Sequence, residues 1–79
     1  MIYSTQCVGA KMLYTETTHP QVNKVMRMVK FAIGQQVYYD PSKYAFYIEV
    51  DNYLKCIGVL GMDVNEIVRN AERERARRS

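Results

Sequence analysis

A chain of 79 residues makes one small domain, too short to enclose a large substrate pocket, so catalysis is not expected. Hydrophobic residues at 48% and charged residues at 24% fit a globular chain with a core and exclude a low-complexity polar tract. Eleven basic and eight acidic residues leave a net charge of +3, which admits a polyanionic partner without requiring one.

The first residues, MIYSTQCVG, contain neither a basic stretch nor a long apolar run, so no signal peptide is expected. No segment approaches the roughly 20 apolar residues that span a bilayer, and the expectation is a soluble, cytoplasmic protein without a membrane partner. Cys7 and Cys56 are then expected to be reduced, buried thiols rather than a disulfide. His19 is the only histidine. It has no partner at a catalytic or metal-ligating spacing, so no cofactor and no metal site are expected.

Residues 2–8 are rich in β-formers and read as a strand. Gly9-Ala10 reads as a tight turn and residues 11–15 as a returning strand. Thr18 with Gln21 three residues on resembles a capping box, and Pro20 suits a first helical turn. Val22, Val25, Met26, Val29 and Ile33 then mark one face of a helix. Met28, Phe31 and Ala32 are read as widening that apolar face. Gly34 is a helix stop. The polar side of this helix carries Gln21, Asn23, Lys24, Arg27 and Lys30.

Residues 35–40 and 44–50 are dense in Val, Tyr, Phe and Ile, and Asp40-Pro41-Ser42-Lys43 between them has type I turn chemistry. A β-hairpin is expected. Helical spacing of Phe46, Val50, Leu54 and Ile57 is the competing pattern. Asn52 suits the cap of a short helix over residues 53–60, weakened by Gly58 and ended by Gly61. Asp63 caps a last helix, with Glu66 as its capping-box partner. Its apolar stripe is Val64, Ile67, Val68 and Ala71. Residues 72–79 are a charged end that frays, or meets a partner. The expected fold is a single small α+β domain spanning 1–79. It combines a short antiparallel sheet, one amphipathic helix and a C-terminal helical pair.

That pair, a short helix, a Gly turn and a second helix with Ile67 six positions after Gly61, resembles the helix-turn-helix of DNA-binding proteins. Ile57 departs from it, because a small residue is usual there. The resemblance implies that Asn65, Arg69, Asn70 and Arg73 face the major groove, where Arg reads guanine and Asn reads adenine. The Gly-Met-Asp start and Ile-Val-Arg centre are also similar to the second helix of ribbon-helix-helix repressors. The step from Asp40 to Gly61 is longer than that family's.

Arg73, Arg75, Arg77 and Arg78, with Lys24, Arg27 and Lys30, are candidate phosphate contacts. The same residues also suit a solvated helix end and the wet face of an amphipathic helix. Among seven tyrosines, adjacent Tyr38 and Tyr39 must face opposite sides of a strand, and Tyr47 lies opposite Phe46 and Ile48. Tyr38, Tyr39 and Tyr47 are candidate protein-binding anchors; filling a small core is their alternative role. Two functions follow. The first is a non-enzymatic DNA-binding regulator acting as a homodimer. The second is a protein-binding inhibitor or adaptor, of the kind small phage and mobile-element proteins often are. Its target would be a larger host protein, such as a nucleic-acid-handling or defence complex.

Overall fold

The computed structural model describes residues 4–8 and 11–76, with side-chain surroundings from Leu13 onward. The element order is β1 (Ser4–Val8), β2 (Lys11–Glu16), α1 (Pro20–Ile33), β3 (Val37–Asp40), β4 (Ala45–Val50), β5 (Tyr53–Val59) and α2 (Val64–Ala76). The strands form one antiparallel sheet in chain order. Both helices lie on one face of it: α1 over β3, α2 over β5 and β4, each against the other. This is a small α+β domain, as the composition and patterning predict.

The expected C-terminal helical pair is not formed. Residues 53–60 make β5 and a turn, and only α2 is helical. Asp51 and Asn52 both take positive φ, 54° and 68°, and Val50 lies opposite Tyr53. Two consecutive residues in that region make the tight hairpin turn that matches strand twist. Asn52 is therefore a turn residue, not a helix cap, and the helical spacing through Ile57 is incidental. A register shift opposite Phe46 and Tyr47 leaves Ile57 as the extra residue of a β-bulge. Ile57 is buried, and Gly58 lies so close to α2 that a Cβ there would stand 2.7 Å from Ile67 Cγ1. Gly58 is a packing requirement between strand and helix.

The other turns follow their local chemistry. Lys43 N–H donates to the Asp40 carbonyl at 3.2 Å, and Ser42 N–H and Oγ–H both donate to Asp40 Oδ1. This closes the expected Asp-Pro turn between β3 and β4. The cap of α1 sits one residue later than the expected Thr18: His19 Nδ1 accepts from Val22 N–H. Pro20 then fills the first helical position, where its missing N–H is harmless. Gly34, at φ 71°, ends α1. Asp63 caps α2 as expected, its Oδ1 accepting from Asn65 N–H at 2.9 Å.

The main core joins Val22, Val25, Met26, Val29 and Ile33 of α1 to Phe46, Ile48 and Val50 of β4 and to Ile57, Ile67 and Ala71. A smaller cluster pairs buried Leu13 and Tyr38, with Tyr47 and Leu54 packed against them. Met28 and Phe31 do not widen the core. Met28 is 42% exposed and Phe31 is 90% exposed. Cys56 is also exposed rather than buried. Cys7 and Cys56 lie on the two opposite edge strands of the sheet, β1 and β5. The expected Gly9-Ala10 turn lies outside the described residues. No helix among the described residues is long and apolar enough to cross a membrane.

Candidate binding surface

The second helix was the expected contact element. Without a helix before it, the helix-turn-helix spacing has no structural counterpart, although α2 does present Asn65, Arg69 and Arg73 to solvent. Asn70 faces inward. It is half-buried, and its Nδ2 donates to the Ile57 carbonyl at 3.0 Å, tying α2 to the bulged strand. Asn70 Oδ1 in turn accepts from Arg73 at 2.7 Å. Asn70 thus braces the fold and is removed from the outward-facing set. Arg75 is half-buried, and Arg77 and Arg78 lie outside the described residues. The charges of α2 are also balanced: Arg69, Arg73 and Arg75 against Glu66, Glu72 and Glu74. Its arginines therefore create little net field.

The tyrosines fall on opposite faces as the strand geometry requires, but neither member of the adjacent pair is an exposed anchor. Tyr38 is 4% exposed and Tyr39 is 5% exposed. Tyr39 packs in the helix-side core, its ring 5.1 Å from that of Phe46. Tyr38 belongs to the small cluster beneath the opposite face. Burial raises the pKa of both phenols above 10.0. The Glu49 carboxylate adds to the rise at Tyr38, and Tyr44 then Asp40 add to it at Tyr39. Tyr47 is half-buried, and among the described residues the rings in solvent are those of Tyr44 and Tyr53, at the two ends of β4.

The outer face of α1 is the surface that sequence reasoning undervalued. Lys24, Arg27 and Lys30 are exposed, and the helix contains no acid. Lys24, Arg27, Met28 and Phe31 fall at i, i+3, i+4 and i+7, so they form one stripe, turned away from the buried stripe. The spacing was legible in the sequence. What hid it was the assumption that every apolar residue on the helix belongs to the core.

Beside this stripe, α1 and the sheet enclose a groove of about 320 Å³ lined by Thr15, Glu16, Asn23, Met26, Arg27, Lys30 and Gln36. Its amides are engaged internally. Asn23 accepts from Thr17 N–H and donates to the Thr17 carbonyl, while Gln36 donates to the Val37 carbonyl. Among the described residues no three His, Cys, Asp or Glu side chains gather as metal ligands would. The chain matches no family model, no curated protein and no solved structure.

Proposed function

We propose that the protein is a small non-enzymatic nucleic-acid-binding regulator that meets its ligand with the helical layer, α1 foremost. The observation that carries this reading is the unbalanced charge of α1: three exposed cations, Lys24, Arg27 and Lys30, with no carboxylate on the same helix. Arg69 and Arg73 are exposed on the adjoining α2, where Glu66, Glu72 and Glu74 offset their charge, so α1 carries the unopposed cations. Cations without acids between them favour phosphate contacts, whose binding is salt-sensitive and largely blind to sequence. The internally engaged amides of Asn23 and Gln36 support the same emphasis on backbone contacts over base reading.

The test is fluorescence anisotropy with a mixed-sequence oligonucleotide at several salt concentrations. Three to five phosphate contacts predict a slope of log K against log salt of about −3 to −4.5 on duplex. A folded protein that binds neither duplex nor single strand at low salt contradicts the reading.

A second reading, a protein-binding inhibitor or adaptor, is favoured by a different observation. Tyr44 and Tyr53 hold large exposed rings at the ends of β4, with half-buried Tyr47 between them in sequence. Exposed tyrosines are frequent anchors of protein interfaces. Under this reading a Tyr44→Ala, Tyr53→Ala double variant loses the activity, and an Arg27→Ala, Lys30→Ala variant keeps it.

A further inference from the structure

We infer that the nucleic acid taken by this surface is single-stranded, DNA or RNA, with Phe31 as the platform on which an unpaired base stacks. The inference rests on the nucleic-acid reading above and specifies its ligand. Phe31 is 90% exposed on a helix whose other face supplies much of the core, so its ring has no packing role within the chain. It stands among cations. Two shallow, open depressions meet at its ring, one shared with Arg27 and Met28, the other with Arg27, Lys30 and Gly34. Arg27 also borders the 320 Å³ groove beside α1, which Lys30 and Glu16 line as well.

An aromatic face flanked by cations matches the repeating chemistry of an unpaired strand, in which each exposed base is followed by a phosphate. A duplex offers the phosphates but keeps its base faces stacked inside, leaving Phe31 with nothing to cover it. Base stacking tolerates any sequence because every base has a π-face. The Asn23 and Gln36 amides, engaged with Thr17 and Val37, add no reading of base edges. Binding is therefore sequence-tolerant. The absence of any acid on α1 gives the charge complementarity that a strand requires and that a second copy of this same basic face lacks.

The test uses the full chain and the variants Phe31→Ala and Phe31→Trp. The chain contains no tryptophan, so Phe31→Trp places the sole tryptophan, excited selectively over the seven tyrosines, at the proposed platform. Anisotropy is measured with a mixed-sequence DNA strand, its RNA counterpart and the corresponding DNA duplex. Single strands are expected to bind about tenfold or more tighter than duplex, with the DNA and RNA arms showing which sugar is preferred. Phe31→Ala should weaken single-strand binding on the order of tenfold and leave duplex binding within about twofold. Phe31→Trp should retain binding, and its emission should be quenched by single strand but not by duplex.

Equal affinity for strand and duplex, with Phe31→Ala silent, overturns the inference and leaves the nucleic-acid reading standing. No binding to any of the three overturns both. Self-association that Phe31→Ala abolishes, or an acidic protein that competes away no strand while requiring Phe31, assigns the ring to another occupant and also overturns the inference. A side chain this exposed contributes little to stability, so loss of fold does not obscure the result.

Discussion

The two helices lie on the same face of one sheet and differ in what their outer surfaces do. The outer side of α2 alternates Arg and Glu, and its Asn70 turns back to hold the Ile57 carbonyl. The charged residues on the outer side of α1 are all cationic, and that side also exposes a phenylalanine. Arginine content alone points to α2 as the contact helix; charge balance and exposure point to α1. A run of arginines with interleaved glutamates is locally neutral, whereas fewer cations without acids carry a net field and keep their side chains available.

The largest effect that sharpens this contrast concerns stability. If α2 is chiefly a structural helix, its close approach to β5 at Gly58 is indispensable. Gly58→Ala places a methyl against Ile67 Cγ1 and is expected to cost about 1–3 kcal/mol, lowering Tm by roughly 5–15 °C in thermal denaturation. Phe31→Ala on α1 should shift stability by no more than about 0.5 kcal/mol. Comparable losses at both sites would erase the distinction.

Next in size is binding. Arg27→Ala with Lys30→Ala is expected to weaken oligonucleotide binding at low salt by tenfold or more and to reduce the salt slope by about 2 on duplex. Arg69→Ala with Arg73→Ala should have the smaller effect, because the neighbouring glutamates already offset those charges. The reverse order in an anisotropy titration would return the contact surface to α2.

A smaller effect separates bracing from contact at one residue. Asn70→Ala removes the hydrogen bond to the bulge and should cost about 0.5–1.5 kcal/mol in urea denaturation, with binding unchanged once the variant is folded. A large binding loss at full stability would make Asn70 a contact residue after all.

The smallest effect is set by pH. Tyr38 and Tyr39 have folded-state pKa values raised above 10.0, so their neutral forms are favoured by folding. The stability they contribute is complete below the ordinary tyrosine range and is lost as pH rises through their raised values. Tm followed from pH 8 to 11 should fall at the alkaline end. Tyr38→Phe with Tyr39→Phe should flatten that fall, and an unchanged slope in the double variant would contradict the assignment.

Much of the fold was legible because local signals agreed with one another. The Val22 to Ile33 stripe, the Gly34 stop, the Asp40-Pro41 turn and the Asp63 cap all stand where patterning puts them. The failure at residues 53–60 has a specific cause. Asn52 suits a helix cap and a tight turn equally well, and the deciding facts are long-range: pairing with β4 and contact of Gly58 with α2. The candidate surface was half legible. Lys24 and Arg27 were visible as a basic face, but solvent exposure of Phe31 depends on what α1 packs against, which spacing alone does not give. The burial of Tyr38 is likewise tertiary, because it needs Leu13, Tyr47 and Leu54 around it.

The binding predictions all rest on the proposed contact through the outer face of α1. The most direct measurement is an amide-resolved NMR titration of the labelled protein with a short single-stranded oligonucleotide. Contact through α1 predicts perturbations concentrated from Lys24 to Gly34, strongest around Arg27 and Phe31, with weaker changes at Arg69 and Arg73. Perturbations centred on α2 with α1 unmoved, or none at concentrations that saturate binding, would contradict it.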